Sequence, residues 1–267
     1  MNMLIYLGSA RPPSELLAFC APIVQKVATG LTLLTGGGAS ARSLLEQAAA
    51  WLGVPSDLPL DLRDNGGDPR RALRAATNER DYDLVVCGRG RWSLLAPQHA
   101  AITRQLAPSA LLVRGADQPP RRILLASSGD RHTLDHVRFV AQLAQPLGAT
   151  VTVLHVLSQQ SLLFHSCSGH DVNAKAFFGE QTPEVQILRL AADWLNDDGI
   201  PTQLMARTGP IIDTIVDELR AGCYDLLVIG EHCPTSGCDR ILLRNMTNEL
   251  VAASPRSVLV VKRNAEA

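Results

Sequence analysis

The heptapeptide Tyr82-Asp83-Leu84-Val85-Val86-Cys87-Gly88 returns 142 residues later as Tyr224-Asp225-Leu226-Leu227-Val228-Ile229-Gly230. A repeat at that distance asks first whether the whole chain is duplicated. Gly67-Asp68-Pro69 and Gly209-Pro210 precede helical runs at the same offset. Ser109–Arg114 matches Ser257–Lys262 at 148, Leu4–Ser9 matches Ile123–Ser128 at 119, and Thr32–Gly36 matches Thr152–Val156 at 120. These matches keep one order, so the chain reads as two tandem domains, 1–116 and 121–267, joined by the proline-stiffened Asp117-Gln118-Pro119-Pro120. The rise from 120 to 142 places an insertion in the second copy, at the polar, His-, Ser- and Gly-containing stretch Ser158–Gln181. The rise to 148 marks a shortened loop after Gly88 in the first copy.

Within each copy, short apolar runs alternate with amphipathic stretches. Strands are expected near Arg122–Ala126, Val151–Val156, Gln203–Ala206, Leu226–Gly230 and Ser257–Val261. Leu134, Val137, Val140, Ala141, Ala144 and Leu147 recur at helical spacing, as do Ile211, Ile215, Val216 and Leu219. Unbroken runs such as Asp225-Leu-Leu-Val-Ile suit strands buried on both faces, hence a doubly wound α/β fold with a five-stranded parallel sheet in each domain. In such sheets ligands sit at the carboxyl ends of the strands, near the topological switch point, so 126–129, 156 and the segment from 230 onward share one rim.

Composition narrows the function. Twenty-five basic against 26 acidic residues give no charge imbalance for nucleic acid or acidic membrane, and 4% aromatics leave no stacking platform for bases. Apolar runs fall far short of the ~20 residues that span a bilayer, and Met1–Tyr6 reads as a strand and not as a signal peptide, so a cytoplasmic location is expected.

A strand, a Ser-Gly turn, a Gly-x-Pro helix start, an Asp-Leu-Leu-Val-Ile-Gly strand and a Ser-Val-Leu-Val-Val ending resemble the universal stress protein family, as two copies over nearly the whole chain and more clearly in the second. The resemblance implies regulatory binding in the stress response without catalysis, ATP as ligand in the binding members, and pairing through the last strands. The natural seam is Ser109–Arg114 against Ser257–Lys262, with the two domains pairing inside one chain and a homodimer or a further protein partner beyond it. The family's nucleotide-binding members carry an Asp after the first strand and Gly-x2-Gly-x9-Gly-(Ser/Thr) after the fourth, where glycines let backbone N–H groups approach phosphates. Mapped onto this chain, the pattern falls on Ala126, Ser127, Ser128, Gly129, Val156, Ile229, Gly230, His232, Cys233, Arg244, Asn245, Met246 and Thr247. Ser128 replaces the Asp, Cys233 the second glycine, and Arg244-Asn245 the Gly-(Ser/Thr). Arg244 could contact a phosphate by a charge-assisted bond, with Thr247 near the start of the next helix.

Other features carry second readings. No nucleophile–base–orienter set is visible. Ser127-Ser128-Gly129-Asp130 resembles the Ser-Gly-Gly-x-Asp-Ser turn of ATP pyrophosphatases, with the second glycine displaced and the last serine absent, so an ATP-cleaving enzyme is one alternative. A nucleotide-free interaction protein is the other. His165, Cys167 and His170 in the insertion are candidate zinc ligands by residue type, although no known ligand spacing is matched. Cys233 and Cys238 share one loop and are near enough in sequence to pair on oxidation. Gly36-Gly37-Gly38 before the expected helix Ala41–Leu52, with Ser40 as its N-cap, reads as a flexible connection because the Lys-(Ser/Thr) of a P-loop is missing. Arg70, Arg71 and Arg74 on one helix, and Asp213, Asp217 and Glu218 on its counterpart, read as solvated faces.

Overall fold

A computed structural model describes residues 1–8, 14–38, 40–88, 106–115, 118–157, 174–231 and 239–262, and the side chains of all of these but 174–176 and 239–245. The shortened loop after Gly88 and the Cys233–Cys238 pair lie outside the described residues. The chain forms two compact units, Met1–Pro120 with Arg256–Asn264, and Arg121–Pro255 with Ala265–Ala267.

The first unit runs β1 (Asn2–Gly8), α1 (Ser14–Val27), β2 (Gly30–Thr35), α2 (Ala41–Leu52), β3 (Leu60–Asp64), α3 (Pro69–Glu79), β4 (Leu84–Gly88) and β5 (Ser109–Val113). Its strands lie in the order β3-β2-β1-β4-β5, all parallel. β10 (Ser257–Val261), the strand that ends the second repeat in sequence, packs with this unit as the antiparallel partner of β5. Ser257 Oγ accepts from the Arg114 N–H at 3.1 Å.

The second unit runs β6 (Arg122–Ser127), α4 (Thr133–Leu147), β7 (Thr150–Leu157), α5 (Ala174–Gly179), α6 (Pro183–Asp197), β8 (Thr202–Thr208), α7 (Ile211–Ala221), β9 (Leu226–Gly230) and α8 (Asp239–Ala253). Its strands lie in the order β9-β6-β7-β8, again parallel. Strands leave β6 toward β7 on one side and return at β9 on the other, so the switch point falls between β6 and β9. Among the described residues no helix is long and apolar enough to cross a membrane.

The repeated heptapeptide has a local cause. The Asp83 N–H donates to the Asn2 carbonyl at 2.9 Å while its carboxylate accepts from the Asn2 N–H at 2.7 Å; Asp225 does the same with Arg122, at 2.9 Å each way. Each aspartate thereby fixes the start of the fourth strand beside the first. Tyr82 then donates to Thr32 Oγ1 at 3.0 Å inside the first unit.

The structure shifts one alignment. β1 pairs Tyr6 with Leu34 and Cys87, whereas β6 pairs Ala126 with Leu154 and Ile229, so the body of the first strand repeats at 120 and not at 119. The β1–β2 register slips between Tyr6 and Gly8, with Leu7 as the extra residue, and beyond it Gly8 faces Thr35 as Ser127 faces His155. A bulge absorbs one residue in this way while the ladder continues on either side.

Three further expectations change. Ser40 makes no side-chain bond to α2; the helix starts instead on the backbone bond from the Ala41 N–H to the Gly38 carbonyl at 3.0 Å. The glycine run beside it is anchored: Gly37, at φ +90°, lies so close to the next loop that a Cβ there would come 2.7 Å from Gly66 Cα, and the Gly67 N–H donates to Gly36. Glu218 is not solvated, because its carboxylate pairs with Arg207 at 3.0 Å and accepts from Tyr224 at 3.2 Å.

Candidate functional site

A cleft of about 230 Å³ opens in the second unit at the carboxyl ends of β6, β7 and β9. Its floor is Ala126, Leu154 and Ile229, which are register partners across the three strands and therefore point to one face. Ile211 and Ile215, one turn apart on α7, form one wall, and Met246, Thr247 and Leu250 of α8 form the other. Ser127, Ser128 and Asp130 edge the mouth, with Val156 and Gly230. Eight residues of the sequence-derived set thus meet in one cavity: Ala126, Ser127, Ser128, Val156, Ile229, Gly230, Met246 and Thr247.

The turn after β6 is held from within. Ser127 Oγ lies 2.8 Å from Thr133 Oγ1 and accepts from the Gly129 N–H at 3.1 Å, while Asp130 Oδ1 accepts from the His132 N–H at 2.9 Å and opens α4. The Ser127 hydroxyl and the Gly129 N–H are therefore committed inside the protein. Gly129 does not line the cleft; it sits at φ +74° where a Cβ would come 3.1 Å from Glu184 Cβ, so its role is to admit the start of α6. Ser128 is exposed and makes no hydrogen bond among the described residues, which leaves its hydroxyl for a ligand.

Gly230 is constrained from the other face. A Cβ there would fall inside the imidazole of His136 on α4, so the end of β9 is glycine because a buried ring backs it. His155, at the end of β7, brings Nδ1 within 3.0 Å of the Ser127 carbonyl and stacks on Phe177 of α5 with centroids 5.3 Å apart and planes 5° apart. The insertion is therefore fastened at its carboxyl end by a buried aromatic side chain. In the first unit Thr35 Oγ1 donates to the Gly8 carbonyl at 2.7 Å, the same tie made by a different side chain.

Arg244 and Asn245 lie inside α8, which starts at Asp239, and Thr247 is two turns into it instead of at its start. Interior helix N–H groups bond to the carbonyl four residues back, so 244–245 offer no backbone cradle of the glycine kind. His232, Cys233, His165, Cys167 and His170 lie outside the described residues, and among the described residues no group of three or more His, Cys, Asp or Glu could hold a metal ion. Sequence reasoning missed Leu154, Ile211, Ile215, Leu250 and Asp130 as cleft residues. The spacing of Ile211 and Ile215 directly after Gly209-Pro210 was the available signal, since a helix entering at the rim presents its first turns there.

The model of the universal stress protein family matches residues 120–262, more than half of the chain. The chain belongs to the universal stress protein family. Solved structures similar to it include a universal stress protein from Archaeoglobus fulgidus, at 14% identity and a TM-score of 0.65 over 99% of this chain and 97% of that one. A putative universal stress protein from Pseudomonas aeruginosa matches at 15% identity and a TM-score of 0.69, over 98% and 92%. A functionally unknown protein from the same species matches at 15% and 0.66, over 97% and 92%. At these identities the likeness is one of fold, and it spans both repeats of this universal stress protein. No curated protein matches the chain by sequence.

Proposed function

We propose that this universal stress protein is a regulatory binding protein of the stress response that takes a nucleotide, ATP in the first instance, in the cleft of its second unit and turns nothing over. The observation that supports it is the position of the cleft, at the β6/β9 switch point where strand ends diverge and ligands of open α/β sheets bind. Its apolar floor and walls suit a planar base, and Ser128 and Asp130 at the mouth suit ribose hydroxyls. At about 230 Å³ it is smaller than the ~300–1,000 Å³ of sites that engulf a whole drug-sized ligand, so the base is enclosed and the phosphates extend past the rim.

Calorimetric titration with ATP and Mg²⁺, beside Val156→Trp, tests the reading. Val156 is half-buried at the mouth, so an indole there obstructs the cleft while leaving the core intact. One saturable site per chain, lost in the variant, is the expected result, with no phosphate released on prolonged incubation. No binding at millimolar ATP in a folded protein would replace this reading with a nucleotide-free interaction protein; steady ATP cleavage would replace it with an enzyme.

A further inference from the structure

Tyr6 holds, in the first unit, the position that Ala126 holds on the floor of the cleft in the second. Both sit at the switch point of their own sheet, between β1 and β4 and between β6 and β9. Tyr6 is registered against Leu34 and Cys87, and Ala126 against their counterparts Leu154 and Ile229. The direction of the side chain follows from strand alternation. Gly88, next after Cys87, faces α1, where a Cβ would come 3.1 Å from Leu16 Cδ2. Cys87 and its partner Tyr6 therefore point to the opposite face. The second unit repeats this, with Gly230 against His136 of α4 and Ile229 in the cleft. The Tyr6 ring is buried at 5% exposure. Burial pushes its phenol up to about 12, with the charges of Cys87 and of Asp68, the N-cap of α3, adding to the shift. Asp68 directly precedes α3, the counterpart of the helix that walls the cleft in the second unit.

We infer that Tyr6 is a built-in occupant of the first unit's copy of the cleft, and that the side chain at this one position decides which repeat of the chain takes a ligand. The identity of that ligand rests on the nucleotide reading above; the plugged cavity does not. In an apolar setting, truncating a buried ring leaves a void that small aromatic molecules enter.

The test uses the full-length chain and p-cresol, which is the tyrosine side chain as a free molecule. Tyr6→Ala is expected to bind one more equivalent of p-cresol per chain than the wild type or Tyr6→Phe, and its lowered melting temperature to climb as p-cresol is added. Should the alanine variant not fold, Tyr6→Leu removes the ring while keeping an apolar side chain and serves the same comparison. In the second unit, Ala126→Tyr is expected to abolish ATP binding with the protein still folded. The inference is overturned if the truncated variants take up no additional p-cresol, or if Ala126→Tyr binds ATP as the wild type does. A wild type that binds no ATP, with Tyr6→Ala still gaining its p-cresol, defeats the nucleotide reading alone; ATP binding without that gain defeats this inference alone.

Discussion

Ser109 Oγ accepts a hydrogen bond from the Lys262 backbone N–H at 3.1 Å, across the antiparallel pair of β5 and β10. The counterpart bond, from the Arg114 N–H to Ser257 Oγ, has the same length, so the two serines that begin these strands each satisfy the residue that follows the other's last. Ser109 and Ser257 are both buried. Replacing Ser109 by Ala strands a buried donor and is expected to cost about 1–3 kcal/mol in denaturant unfolding. Ser257→Ala leaves a donor that water partly reaches and should cost less. Equal losses would mean the two bonds sit in equivalent surroundings.

Gly230→Ala should destabilise by about 1–3 kcal/mol or more, because the methyl enters space filled by His136. His136→Ala carries a cost of its own but vacates that space. A double-mutant cycle measured by thermal unfolding is expected to show Gly230→Ala costing far less in the His136→Ala background. Additive losses would remove His136 as the reason for the glycine.

Alkali should weaken the protein through a buried group of acids in the first unit. Burial raises the Cys87 thiol from 9.0 to about 12, the Cys20 thiol also rises, and Tyr6 moves from 10.0 to about 12. With folded values above unfolded ones, the native state holds protons that the unfolded state releases. Stability is full below about pH 9 and falls as pH climbs toward 12, by up to about 1.4 kcal/mol per pH unit for each group. Urea unfolding at a series of pH values from 8 to 11 checks the slope, which Cys87→Ala should flatten.

Thiol labelling follows from the same burial. At pH 8 iodoacetamide should modify the exposed Cys223 in the native protein and reach Cys20 and Cys87 only after unfolding, as read by peptide mass mapping. Rapid native labelling of Cys87 would contradict its burial.

Phe177→Ala removes a fully packed ring and the stack on His155, at an expected cost of about 3–5 kcal/mol. Phe177→Leu should recover most of the loss in a melting experiment if packing, more than ring stacking, holds α5 in place.

The duplication, the parallel sheets and the rim were legible because they rest on repeated local signals: Asp83 and Asp225 tie strands in the same way, and unbroken Leu/Val runs need cover on both faces. The floor of the cleft was half legible, since Ala126 and Ile229 lie at strand ends that a periodic pattern can locate. Its walls were not, because which turn of α7 or α8 meets a strand end is set by crossing geometry that spacing alone does not encode. The anchoring of Gly37 against Gly66 was equally hidden, because it joins two loops distant in sequence. The depth of α8 was misjudged for a related reason: a family pattern was laid on residues 244–247 that this chain has wound into helix. The offset of 119 misled over Tyr6, since one bulged residue slides every identity in the strand past its true partner.

That bulge has a consequence for how the halves can be exchanged. Leu7 is a frameshift written in backbone, so a hybrid in which β6 replaces β1 carries the right side chains as far as position 126 and then arrives one residue early at the turn. Recombination between the two copies is thereby confined to crossovers before Tyr6 or after Gly8. The segment that decides which half is open to a ligand is thus the one that cannot be traded without rebuilding the turn behind it.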